Sequence, residues 1–223
     1  MPGDEPVTRR YDSSRRRERA RASRKAILSE ARSSFLANGY AGTTMTAIAT
    51  SAGVSVETMY GTWGSKAGVV QALLREALRG DDDAPPFEQS DAIKAVIAEP
   101  LAQAQLELYG RLLGEIQPKL APIVRLLREG ATADRHLAEA YEKHKRDRLE
   151  AMQRFAELLQ SRRALRPELT VGQARDILWT MNSAELYELL VEERGWTVQR
   201  YGEWIASMLA AALLAPTRRR GTS

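Results

Sequence analysis

The sequence predicts an all-α protein in which a small N-terminal three-helix helix-turn-helix domain precedes a larger C-terminal helical domain. Three observations carry that expectation. Residues Thr44 to Lys66 read as two short helices around a glycine turn. Elsewhere apolar residues recur at helical spacing, and no segment alternates convincingly with the period of two that marks a half-buried strand. Positive charge gathers beside the first motif. Nine Arg and Lys residues between Arg9 and Lys25 stand against only Asp12 and Glu18, a local charge of +7 in a chain of +4. At 223 residues the chain can bury one or two helical cores.

Taken in order, residues 1–20 are polar and short of apolar side chains, which predicts a disordered basic arm. A basic segment in that place suits phosphate contacts or minor-groove arginines. A first helix is expected from about Arg21 to Asn38, with Ile27, Leu28, Ala31 and Phe35 on one face and Asn38-Gly39 as its C-cap. Tyr40 closes the small core. Thr44 or Thr46 can cap the second helix, Ile48, Ala49 and Ala52 give its buried side, and Gly53 ends it in a left-handed turn. Ser55 then caps a third helix of barely two turns, Val56 to Thr62. Its Ser55, Glu57, Thr58, Tyr60 and Thr62 are too polar for a helix that serves only packing. That polarity favours a DNA-reading helix in a major groove over a plain αα-hairpin.

A fourth helix is expected from Ser65 to Gly80, capped by Ser65 and buried through Val69, Val70, Leu73, Ala77 and Leu78. Lys66 sits in its first turn, where free N–H groups already favour an anion. The neighbouring GTWGSK string lacks the spacing of a phosphate-binding nucleotide loop and has no strand before it. The acidic, proline-paired DDDAPP segment at 81–86 reads as a linker. Helices are then expected near Ser90–Ala98, Leu101–Gln117, Lys119–Gly130, Asp134–Arg162, Val171–Arg194 and Thr197–Leu214, with Pro100, Pro118, Pro122 and Pro167 marking starts and breaks. His144 lies in a charged run and is expected to be exposed and idle. The division of the chain is therefore a basic arm (1–20), a helix-turn-helix domain (21–67), a helical regulatory and dimerisation domain (68–215) and a disordered tail (216–223).

Several function classes lose their residues. The chain has no cysteine and two histidines, so thiolate chemistry, disulfides and the usual His-rich zinc sites have no ligands, and no metal or cofactor is expected. No nucleophile–base motif surrounds His136 or His144, so no catalytic residue is assigned. No apolar run reaches the roughly 18–20 residues of a membrane span, and the arginine-rich start has no apolar signal region, so a soluble, cytoplasmic protein is expected.

The segment from about Arg24 to Leu78 resembles the N-terminal DNA-binding domain of the TetR family of transcriptional regulators. The likeness rests on Phe35–Tyr40 (FLANGY), Thr44–Ala49 (TMTAIA), Ala52–Ser55 (AGVS), Thr58–Tyr60 (TMY), Trp63 and the Ser65-Lys66 pair, in the family's order and spacing. Gly61 and Gly64 depart from the pattern and leave the end of the third helix looser. The resemblance implies a DNA-contacting set of Thr44, Thr46, Ser55, Val56, Glu57, Thr58, Tyr60, Thr62 and Lys66, with Tyr60 and Lys66 on phosphates. It implies a small-molecule effector held between C-terminal helices, for which Tyr109, Leu113, Leu126, Met152, Phe155 and Trp179 are the candidate lining. Few ionisable groups accompany them, which favours an apolar or aromatic effector. It further implies a homodimer through the last two helices, where Leu186, Leu190, Trp204, Ile205, Met208 and Leu209 form wide apolar faces. Such a dimer suits a palindromic double-stranded operator, and the expected activity is that of a ligand-released repressor. Two other readings stay open at this stage: an architectural DNA-binding dimer that answers no ligand, and a helical protein-interaction module.

Overall fold

The structure, a computed structural model, describes residues 8–80 and 84–215. Ten α-helices run in order among the described residues. They are α1 (Thr8–Gly42), α2 (Met45–Ser51), α3 (Val56–Trp63), α4 (Lys66–Arg79), α5 (Asp91–Ala98), α6 (Ala102–Gly130), α7 (Arg135–Ser161), α8 (Val171–Met181), α9 (Ala184–Tyr187) and α10 (Val198–Leu213). A single 3₁₀ turn, Phe87–Gln89, precedes α5, and a π-helical turn, Glu188–Glu193, follows α9. Among the described residues the one β-type pairing is an isolated bridge between Leu165 and Leu214. The chain divides into two compact units between Leu73 and Leu74, inside α4.

In the first unit α1 begins well before Arg21. Residues 8–20, expected to be a disordered arm, are helical, while 1–7 and the tail from 216 lie outside the described residues. Arginine, glutamate and alanine are good helix formers, so a lack of apolar residues did not preclude a helix there. Gly39 breaks α1 with φ +67°, at the place where the sequence put the C-cap. Ile27, Leu28, Ala31 and Phe35 are buried together with Met45, Ile48, Ala49, Met59, Val69, Val70 and Leu73. Phe35 and Tyr40 stack with ring centroids 6.1 Å apart, as the expected closure of that core. The Thr43 hydroxyl, almost wholly buried, donates to the carbonyls of Ser34 and Gly39 at 3.1 and 2.9 Å and so fixes the exit from α1.

The second unit is held by a close crossing of α6 and α10. A Cβ on Gly110 would stand 2.3 Å from the Gly202 carbonyl oxygen, and one on Gly202 would stand 2.5 Å from that of Gly110. Backbone therefore meets backbone, which only glycine permits. Leu106, Leu113, Ile205 and Leu209 are buried around this crossing. The sequence expectation of two helices parted at Pro118 fails: α6 runs through Pro118 and Pro122. A proline inside a helix costs about 3 kcal/mol. Burying Leu120, Ile123, Val124, Leu126 and Leu127 in the same turns outweighs it, at about 1.5–3 kcal/mol each.

The segment Val171–Arg194, expected to be one helix, breaks at Asn182. There the Ser183 side chain accepts from Leu186 N and starts α9, a local bond that competes with helix continuation. Side chains cap three further helices. Asp134 accepts from His136 N, Thr170 forms a capping box with Gln173, and Thr197 accepts from Arg200 N.

Candidate nucleic-acid interface and pocket

The helix-turn-helix is built as its residue types require. Thr44, and not Thr46, caps α2 by accepting from Ala47 N at 3.1 Å. Gly53 takes φ +66° between the helices, and Val54 N returns to the Ala49 carbonyl at 3.0 Å. Ser55 caps α3, accepting from Thr58 N at 3.2 Å while its Oγ lies 3.1 Å from Thr58 Oγ1. Met59 is the wholly buried residue of α3. Ser55, Glu57, Thr58, Tyr60 and Thr62 are exposed, as are Thr44 and Thr46 at the start of α2, and Val56 is half-buried. Tyr60 leaves 51% of its surface open, high for a residue of its size. The far end of α3 is not loose. Gly64 closes it at φ +71° with its N–H on the Tyr60 carbonyl at 2.8 Å, and Thr62 Oγ1 donates to the Thr58 carbonyl at 2.8 Å. Glu57 is ionised. Its carboxyl is held below its ordinary value by a hydrogen bond from its own backbone amide and one from Ser55.

Lys66 departs from the simple phosphate-clamp expectation. Its Nζ donates to the carbonyls of Tyr40 and Thr43 at 2.8 and 3.0 Å and lies 4.1 Å from the Tyr40 ring centroid. It binds the exit of α1 to the start of α4, with one of its three N–H donors left over. Ahead of it, Arg15, Arg16, Arg19, Arg21, Arg24 and Lys25 are all exposed along α1.

The second unit holds a cavity of about 240 Å³, lined by Val124 of α6, Tyr141, His144, Lys145 and Arg148 of α7, Trp179 and Thr180 of α8, Ser183 and Glu185. Of the six lining residues expected from the sequence, only Trp179 is there. Tyr109, Leu113, Leu126, Met152 and Phe155 are buried core. Tyr109 makes an edge contact with Phe155 at 5.1 Å, and its hydroxyl reaches Met152 Sδ at 3.4 Å. His144, expected to be exposed, lines the cavity instead. Burial, followed by the positive Arg148 nearby, lowers its pKa from the usual imidazole value to about 4, so it is neutral at pH 7. Residue spacing carries a usable signal for this: Tyr141, His144, Lys145 and Arg148 recur at spacings of three and four, one face of a helix.

Charges around the cavity are mostly paired. Lys145 Nζ binds Glu142 at 2.6 Å. Glu185 binds Arg128 at 3.0 Å, and Arg128 also binds Glu188 at 2.7 Å. Arg148 has no carboxylate partner among the described residues. Its guanidinium lies 4.6 Å from the Trp179 ring and makes one long bond to the Asn182 carbonyl at 3.4 Å. Arg148 Nε and Trp179 Nε1 are buried donors without acceptors.

The apolar face expected to pair two copies is partly consumed within one protomer. Ile205 and Leu209 are wholly buried because α10 spends that side on α6. Leu186, Leu190, Trp204 and Met208 keep part of their surface, and Leu189 and Val198 are 49% and 42% exposed.

Residues 27–73 match the family model for bacterial regulatory proteins of the tetR family. Residues 27–73 form a helix-turn-helix domain similar to that of the tetR family. The chain as a whole has a TetR-like fold. It is similar to SmeT in its triclosan complex at 22% identity and a TM-score of 0.67, over 88% of this chain and 93% of that one. NalD of Pseudomonas aeruginosa, the secondary repressor of the MexAB-OprM multidrug efflux pump, is similar at 18% identity and a TM-score of 0.67, over 88% and 99%. The ketosteroid transcriptional regulator KstR2 of Mycobacterium tuberculosis is similar at 17% identity and a TM-score of 0.58, over 86% and 95%. No curated protein sequence matches the chain. No helix among the described residues is long and apolar enough to cross a membrane.

Proposed function

We propose that this TetR-like protein is a ligand-responsive repressor that binds a palindromic operator as a homodimer and is released by a small effector. The observation that carries the reading is α3: a capped helix of two turns that buries Met59 and turns five polar or phenolic side chains to solvent. A helix with so little to bury is stable only as part of its motif, and its free polar face is what base edges require. In this reading Thr44, Thr46 and Tyr60 position the head on phosphates, with the spare N–H of Lys66 as a further donor. Ser55, Val56, Glu57, Thr58 and Thr62 face the bases. Leu186, Leu190, Trp204 and Met208 meet their mates in the dimer, with Leu189 and Val198 beside them. That pairing sets two heads about one helical turn apart, roughly 34 Å.

The cavity in the second unit favours a ligand-responsive protein over a purely architectural dimer. Phe155 is packed as such a dimer would need, but Trp179 borders open volume. Effector binding then acts as a population shift away from the spacing of heads that fits the operator, passing through α4. SmeT, similar in fold, forms a complex with triclosan, which suits the same arrangement.

The test is selection of DNA fragments on the purified protein, with the winning site measured by anisotropy across a salt series. A palindromic site whose affinity falls steeply with salt is the expected result. Recovery of no site, with weak and salt-insensitive binding, would leave a helical interaction module as the better reading.

A further inference from the structure

We propose that the cavity between α7 and α8 is a site for a compact aromatic anion, a single-ring or fused-ring carboxylate, with Arg148 as its counter-ion and Trp179 as its stacking wall. The proposal rests on the effector reading for its biological use, though not for its chemistry. Size sets the first limit. A cavity of about 150 Å³ already accommodates benzene, so about 240 Å³ has room for one substituted ring.

The walls set the second limit. Trp179 and Tyr141 supply two aromatic faces and Val124 an aliphatic one, a lining suited to a flat apolar body. The charges set the third. Two cations, Lys145 and Arg148, line the cavity against one carboxylate, Glu185. Glu185 is engaged by Arg128 at 3.0 Å and Lys145 by Glu142 at 2.6 Å. Arg148 is the cation left without an ion pair, although Glu185 still acts on it through space. Desolvation lowers its pKa, yet a guanidinium stays protonated in proteins, so it remains a shielded cation wanting an anion. Its Nε and the neighbouring Trp179 Nε1 are two donors with no acceptor. An arginine fork matches a carboxylate with two parallel bonds. A neutral ligand would leave the charge unmatched, and a cation would meet Arg148 and Lys145 directly.

The experiment is calorimetric titration of the full-length protein with benzoate, phenylacetate and indole-3-acetate, each beside its primary amide, and with benzylamine. At least one acid should bind about tenfold or more tightly than its amide, because charge-assisted bonds separate the two. Arg148→Met should erase that preference, and Trp179→Leu should weaken acid and amide alike. Equal binding of acid and amide by the native protein overturns the proposal without recourse to any variant. Binding of benzylamine in preference to the acids, or of none of the probes, overturns it as well. Operator release is read separately by anisotropy. An acid that binds in the cavity but leaves DNA binding unchanged upholds the anion site and defeats the effector reading. Release by a neutral amide at equal potency does the reverse.

Discussion

Replacing Lys66 by Met separates two accounts of the reading head. As a phosphate clamp alone, Lys66 would matter only when DNA is present. As the structure has it, Nζ holds the Tyr40 and Thr43 carbonyls at 2.8 and 3.0 Å and sits over the Tyr40 ring. Hydrogen bonds to a charged group contribute about 1.5–3 kcal/mol each when well shielded. Lys66 is only half-buried and water can reach carbonyls that it releases, so the whole arrangement is worth about 2 kcal/mol. Methionine keeps the stem and removes the donors. Local opening of the motif should then become about 30-fold more frequent, since 1.36 kcal/mol is a factor of ten. A whole-chain melt would mix the two compact units, so the suitable assay is native-state amide exchange. The amides of Ala52 and Met59, bonded to Ile48 and Ser55, should exchange about 30-fold faster, and those of α6 and α10 should not change. Unchanged exchange in α2 and α3, together with a salt slope reduced by about one, would refute the structural role and restore the clamp.

Three further predictions can be checked on the same protein. Glu57→Gln removes a carboxylate from the exposed face proposed to meet DNA. Non-specific DNA affinity should rise, while discrimination at one base pair of the selected site should fall by about 5-fold to 100-fold, as when a carboxylate no longer accepts from cytosine N4. Unchanged base preference would remove Glu57 from the reading set. Gly202→Ala drives a methyl group to 2.5 Å from the Gly110 oxygen, so the α6–α10 crossing must open. Overpacking of that kind costs about 3 kcal/mol and should lower Tm by about 10 °C, whereas an unchanged Tm would mean that the two backbones are not in contact. His144 gives a pH dependence. Its folded pKa of about 4 lies below the ordinary value of 6.5, under burial first and then Arg148 and Lys143, opposed by Asp147 and Glu185. The unfolded chain therefore takes up a proton that the folded chain refuses, so stability present above pH 6.5 is lost as pH falls towards 4. The loss is about 3 kcal/mol at most. His144→Gln should flatten the fall in urea midpoint between pH 6.5 and 5, and identical curves for the two proteins would contradict a buried neutral imidazole.

How far the fold was legible follows from which forces are local. Caps depend on one side chain and the next three residues, so Ser55 could be read from the string, as could the left-handed turn at Gly53. The helix-turn-helix was legible for the same reason. Continuity of α6 through Pro118 was not, because the burial that outweighs a proline comes from residues far away in the chain. The α6–α10 crossing was missed since Gly110 and Gly202 carry no signal until two helices are known to touch. Only Trp179 of the expected lining borders this cavity, for a related reason. Large apolar and aromatic residues fill space before they line it, so Tyr109, Leu113, Leu126, Met152 and Phe155 became core. The lining fell instead to a polar stripe on α7 that had looked like a solvated face.

That stripe poses the question of why a helical interior keeps Arg148. A half-buried cation without an ion pair is costly, and apolar replacements of buried charges are often neutral or stabilising by about 1–4 kcal/mol. Against this stand the stacking on Trp179, about 0.5–2 kcal/mol, and one long bond to the Asn182 carbonyl. The two sides nearly cancel, so Arg148→Met should leave Tm within about 3 °C of the native protein or raise it. A residue retained for structure would behave otherwise, and its loss should lower Tm by 10 °C or so, since breaking a needed buried interaction costs about 3–5 kcal/mol. Adding benzoate or indole-3-acetate sharpens the comparison. A ligand that binds only the folded chain raises Tm in proportion to the logarithm of its concentration, and that rise should appear in the native protein and vanish in Arg148→Met. A stable variant that no longer responds to the acid means that the arginine is kept for its ligand. A destabilised variant that still responds means that it is kept for the fold.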